Sequence, residues 1–193
     1  MKNLRSIVSL MLMTHGASGA LPAQRPRPGI GIPAVDAHDA LLTRRDGRLL
    51  YDGTPWTGTL MEWGTGGERL GLTAYHHGRR DGMALTWHAD GSLDTVRQYL
   101  NGVKVGWHRG YWPNGQRRFA VPFSAGRYDG VLRTWHANGQ LHQHRTYIAG
   151  AEDGVQRLWA ADGRLRANYV VRDGRRYGRL GAQPCLTVKG GVA

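Results

Sequence analysis

Nine histidines are the residues of this 193-residue chain best suited to chemistry, since an imidazole can ligate a metal or move a proton near neutral pH. His142 and His144 stand two apart, a spacing that sets both on one face of a strand, but no third ligand accompanies them. Carboxylates come next. Asp81, Asp129 and Asp153 each precede a glycine, as does Asp173, and tight turns favour Asp there through side-chain to backbone hydrogen bonds. A catalytic pair would need two of them to converge in a pocket. No nucleophile elbow, phosphate loop, zinc-binding helix motif or dinucleotide fingerprint is present, and the glycine-rich stretch from Gly64 to Gly71 lacks the spacing of one. The expectation is a protein that is not an enzyme and takes no metal and no cofactor.

Arginine carries a different chemistry. Lys and Arg total 26 against 14 Asp and Glu, a formal charge of +12, and all but three of the basic residues are arginine. Guanidinium groups suit anionic partners, and the adjacent pairs Arg79 and Arg80, Arg117 and Arg118, and Arg175 and Arg176 form the candidate ligand or partner surface. The basic residues are spread along the chain rather than gathered in runs, so no nucleic-acid partner is expected. The one cysteine, Cys185, excludes an internal disulfide framework and a cysteine-cluster metal site.

What must position these residues is a repeat. Gly58, Gly82, Gly106, Gly130, Gly154 and Gly178 are each 24 apart, and so are Gly67, Gly91, Gly115, Gly139 and Gly163, and again Gly78, Gly102, Gly126, Gly150 and Gly174. Two aromatic ladders keep the same step: Trp63, Trp87, Tyr111, Trp135 and Trp159, and Tyr51, Tyr75, Tyr99, Phe123 and Tyr147. Between glycine-marked turns the runs are about six to eight residues, too short for helices and right for strands. Each unit is therefore a β-hairpin, and the expected fold is all-β: an elongated single-layer antiparallel sheet of tandem 24-residue hairpin repeats. In it the Trp ladder with Gly82, Gly106, Gly130 and Gly154 is structural. His88 and His136 fall in the same slot two units apart, about 19 Å along such a ribbon, which forbids a shared ion.

The turn after each Trp, as in Ala137-Asn138-Gly139, suits a three-residue loop with a left-handed glycine, which pairs Trp135 with Leu141 rather than with His142. All the ladder aromatics carry odd numbers. Simple alternation then predicts one aromatic face shared by both ladders and a second face holding His88, Asp94, Gln98, His136, His142 and His144.

The unit, seen in Tyr99-Leu-Asn-Gly102 with Gly106-Trp107 and Trp112-Pro-Asn-Gly115, resembles the bacterial MORN-repeat variant family, the YwqK-type antitoxin-like repeat proteins. Tyr51-Asp-Gly-Thr-Pro-Trp-Thr-Gly58 looks like that family's first unit, and the resemblance covers about two thirds of the chain. Val or Met after the second glycine of several units, and the excess of arginine, depart from the pattern. The resemblance implies an open hairpin array. Eukaryotic MORN arrays are associated with acidic-lipid contact and scaffolding, while the bacterial variant carries an antitoxin label. Three functions follow as expectations: a binding or scaffold module of the cell envelope holding a protein or peptide partner, an acidic-lipid or polyanion binder at a membrane surface, or an antitoxin or immunity protein.

The flanks complete the organisation. Met1 to Arg5, the apolar run Ser6 to Met13 and the small residues ending at Ala20 have the order of a secretory signal, so residues 1–20 are expected to direct export to the periplasm or beyond. A cytosolic leader is the other reading of the same residues and would leave the protein in the cytoplasm. Residues 21–50 read as a Pro/Arg-rich linker and lead-in, with a short helical turn or a strand near Val35. Residues 51–178 form the repeat domain and 179–193 a tail.

Overall fold

The computed structural model describes residues 33–180. The signal segment, the linker through residue 32 and the tail from residue 181, Cys185 included, lie outside the described residues. Within them the chain is all-β without a helix, a long antiparallel-dominated sheet of consecutive hairpins. Its strands follow one another in chain order, so each hairpin lies beside the next and stability comes from neighbour contacts along the ribbon.

The repeats contribute β5 (Gly58–Trp63), β6 (Arg69–His76), β7 (Arg79–Trp87), β8 (Leu93–Leu100), β9 (Val103–Lys104), β10 (Gly106–Tyr111) and β11 (Arg117–Ser124). They continue through β12 (Arg127–Tyr128), β13 (Gly130–Trp135), β14 (Leu141–Ile148), β15 (Ala151–Trp159), β16 (Leu165–Arg172) and β17 (Arg175–Arg179). The lead-in is structured as well. Strand β1 (Ala34–Asp36) pairs parallel to β5 and covers that end of the sheet, while β2 (Leu42–Arg45), β3 (Arg48–Tyr51) and β4 (Thr54–Pro55) form a small second sheet. Val35 and Leu49 are buried with Leu60 and Tyr75 of the first unit, and Trp56 and Tyr51 pack around them. Burial of each such aliphatic side chain contributes roughly 1.5–3 kcal/mol.

Two turn types alternate, and each follows from its residues. After every Trp-ladder position the loop closes with a turn bond and a left-handed glycine, as in Gly91 N–H to His88 O at 2.9 Å with Gly91 at φ 82°. Trp135 pairs with Leu141 as the loop chemistry predicts. The second turn has two left-handed residues in succession, such as His77 and Gly78 or Asn101 and Gly102, the backbone of a two-residue hairpin whose twist matches the strands.

The single aromatic face is overturned. One residue after each Trp-side turn (Leu70, Asp94, Arg118, His142, Arg166) is a β-bulge: Trp135 faces Leu141, but Thr134 faces Gln143 and His142 has no partner across the ladder. The two-residue turn also pairs odd positions with even ones, as in Tyr75 with Arg80. Parity therefore flips twice per unit. Each ladder keeps its face from unit to unit, yet the Tyr ladder lies on one face and the Trp ladder on the other. Gln98 and His144 accordingly share the face of the Trp ladder, which the parity reading had assigned to the opposite side.

On the Tyr face, ladder rings stand directly across from the glycine ladder: Tyr75 pairs with Gly58, Tyr99 with Gly82, Phe123 with Gly106 and Tyr147 with Gly130. A glycine leaves room for a ring to lie across the strand, which is how one layer of sheet buries Tyr99 to 5% exposure. Rings then touch from unit to unit, Tyr99 to His108 to Phe123 to Tyr128 to Tyr147, with centroids 4.5–5.5 Å apart.

Candidate functional site

The two-residue turns line one long edge of the ribbon and the Trp-side turns line the other, so the predicted arginines are divided between edges. Arg79 and Arg80 open β7, and Arg175 and Arg176 open β17, on the same edge but eight strand positions apart, about 38 Å. Arg117 and Arg118 open β11 on the opposite edge. Three of the six already have partners. Arg80 donates to the Tyr99 hydroxyl at 3.3 Å, Arg118 to Asp94 at 2.8 Å and Arg176 to Glu152 at 3.0 Å, where Arg145 also bonds at 3.1 Å. Arg79, Arg117 and Arg175 are exposed.

Two concave places gather these side chains with residues that the sequence reading passed over. The first is a cleft of about 410 Å³ where the lead-in meets the repeats, lined by Arg44, Arg48, Arg79, Arg80, Asp46 and Tyr75 among others. Arg44 and Arg48 escaped notice because residues 21–50 read as linker. The signal was there, since Asp46-Gly47 and Asp52-Gly53 are strong hairpin dipeptides.

The second is a groove of about 380 Å³ on the Trp face across β10, β11 and β13. Its floor is Ala120, whose register neighbours are Arg109 on one side and Arg133 on the other, and a methyl between two long side chains leaves a hollow. Trp107, Tyr111 and Trp135 rim it, with Arg117 opposite Tyr111. Trp107 is 41% exposed. The equivalent slots of the other full units hold Thr59, Met83, Val131 and Val155, so a large ring replaces a smaller residue at this one unit.

The histidines act mostly within the ribbon. His88 Nε2 donates to Tyr111 O at 3.1 Å and His136 Nε2 to Trp159 O at 3.1 Å; Trp112, in the same slot, donates to Trp135 O at 3.3 Å. A carbonyl only accepts, so each ring carries its proton on Nε2. Asn114 and Asn138 reach forward in the same way to Ala137 O and Ala161 O, at 3.0 and 2.9 Å. His108, 3% exposed, bonds Gln98 O at 2.9 Å, and burial holds its pKa below the ordinary imidazole value despite that bond, helped by Lys104 and Arg97. Burial likewise depresses His142, beside His136 and Arg145, and His144, between Arg133 and Arg157. Among the described residues no group of three His, Cys, Asp or Glu is placed to hold a metal. Asp81 and Asp129 accept the amides of Asn101 and Ala149, at 3.1 and 3.4 Å, each bonding the next unit's turn rather than its own.

Geometry thus offers two concave sites, one polar and one aromatic with arginine, on a ribbon otherwise occupied with holding its units together. No protein-family model matches this chain, and a search of curated proteins finds no match to it.

Proposed function

We propose that this protein is an exported, non-enzymatic binding module of MORN-variant type that holds a protein or peptide partner on its Trp face. The carrying observation is the groove over Ala120, where Trp107 stands open to solvent among Arg109, Arg117 and Arg133. Aromatic rings and arginines are the residues that anchor protein partners, because they bury large areas and make several hydrogen bonds each. The arginines are not part of the repeat motif, and the motif residue Trp107 is left 41% exposed here. The row along the middle of this face runs Met61, Leu72, Leu85, Val96, then Arg109, Ala120, Arg133, His144, Arg157, Asn168, each paired with the next across the sheet. Its first part is apolar and its second part cationic with small or polar residues between, a change suited to recognition rather than to stacking.

A photo-crosslinking residue in place of Ala120, expressed in the native cell, tests this reading. The expected product is one discrete protein adduct that disappears when Trp107→Ala is added and persists when the distant Leu165→Ala is added. Adducts insensitive to Trp107→Ala, or no adduct, would contradict it.

A further inference from the structure

The cleft at the junction of the lead-in and the repeats is a separate matter from the Trp-face groove. Strand β3 docks against the two-residue turn at His77 and Gly78: Leu49 N–H donates to Gly78 O at 2.8 Å, and a Cβ on Gly78 would stand 2.9 Å from the Arg48 Cβ. That docking brings Arg44 and Arg48 of the lead-in beside Arg79 and Arg80 of β7. Several arginines in this fold meet carboxylates: Arg118 meets Asp94, Arg145 and Arg176 meet Glu152, and Arg164 lies 3.6 Å from Asp162. In the cleft they do not. Arg44 and Arg80 are held by neutral groups, the Tyr75 and Tyr99 hydroxyls at 3.2 and 3.3 Å, and Arg48 and Arg79 have no hydrogen bond or ion pair among the described residues. The one carboxylate in the lining, Asp46, points its contact outward to Arg45 at 3.9 Å, with both side chains more than four-fifths exposed.

Four guanidinium groups against one carboxylate leave three positive charges around one concavity. Two of the four are preoriented by tyrosines, and a phenol that accepts from a guanidinium still has its own O–H to donate. Planar forks of donors match the oxygens of a phosphoryl group in pairs, and about 410 Å³ accommodates a small ligand rather than a folded element. We propose that this cleft binds a small, multiply charged phosphoryl anion, with Arg44 and Arg80 as fixed donors and Arg48 and Arg79 closing over it.

The test is calorimetric titration of the full chain with inorganic tripolyphosphate at constant ionic strength, so that screening is the same in every run. Saturable one-to-one binding is expected, weakened at least tenfold in Arg48→Ser/Arg79→Ser and unchanged in the charge-matched control Arg166→Ser/Arg172→Ser. Because Arg48 and Arg79 make no bond in the free protein, the double variant should melt with the parent, which separates lost binding from lost folding. A second arm offers phosphatidylglycerol vesicles. Capture by vesicles without any response to tripolyphosphate would overturn the proposal, and so would equal weakening by the two double variants or the absence of saturation.

Discussion

The two faces of the ribbon solve different problems with similar residues. On the Tyr face an aromatic ring lies across a glycine in unit after unit, and the rings touch one another along the array. On the Trp face the ladder sits at the edge beside the turns, its rings half-buried, with cations over them, such as Arg69 over Trp87 at 4.1 Å. The difference teaches where stability resides: the first face has become a core without a second layer, and the second has kept its surface.

Truncation should expose this contrast most strongly. Tyr99→Ala removes a ring that is almost wholly covered and is expected to cost about 3–5 kcal/mol, whereas Trp135→Ala, on the half-open face, should cost roughly 1–3 kcal/mol. Urea melts of the two variants decide the matter, and the assignment of faces fails if Trp135→Ala is the more damaging.

Acid should act through histidines on both faces. His108, His142 and His144 all have folded pKa values below the ordinary 6.5, so the unfolded chain takes up protons first as pH drops. Their contribution is fully present above about pH 6.5 and is lost as pH falls from there through the depressed folded values. Gln156 occupies the His108 slot two units later, 1% exposed, and donates to Thr146 O at 2.7 Å, the same partner ten residues back. His108→Gln should therefore keep the bond, melt near the parent at pH 7.5 and lose less of its melting temperature at pH 5. Equal acid sensitivity in the two proteins would remove His108 from this account.

Smaller effects belong to the edges. Asn114 and Asn138 bond forward to the next turn, but Asp90, in the same slot, has no N–H to give. Asp90→Asn is expected to reach Pro113 O and to stabilise by about 0.5–1.5 kcal/mol, and Asn138→Asp to destabilise by a similar amount. Opposite signs in thermal melts are the check. Least of all in stability, Trp107→Ala should shift unfolding by no more than roughly 0.5 kcal/mol while abolishing partner capture. A large loss of stability there would return Trp107 to the architecture.

Much of the fold is legible in the residue order, because a repeat with strict spacing states its own turns. The left-handed glycines after each Trp and the pairing of Trp135 with Leu141 both follow from loop chemistry that acts over five residues. Faces were harder to read. A bulge such as that at His142 adds one residue to a strand without marking it by composition, and a single unpaired residue exchanges the sides of all that follow. Residues 34–50 were obscured for another reason: their strands are short, and they become a structure by lying against the first unit, as Leu49 does against Leu60 and Tyr75.

From its amino acids alone this chain determined its class, its period, its turn types and the chemistry of its side chains, since all of these rest on interactions between near neighbours. Which arginines meet was left to the tertiary structure. Arg48 and Arg79 come together, and Arg79 and Arg175 do not, because distance across a ribbon is counted in strands and docking rather than in residues.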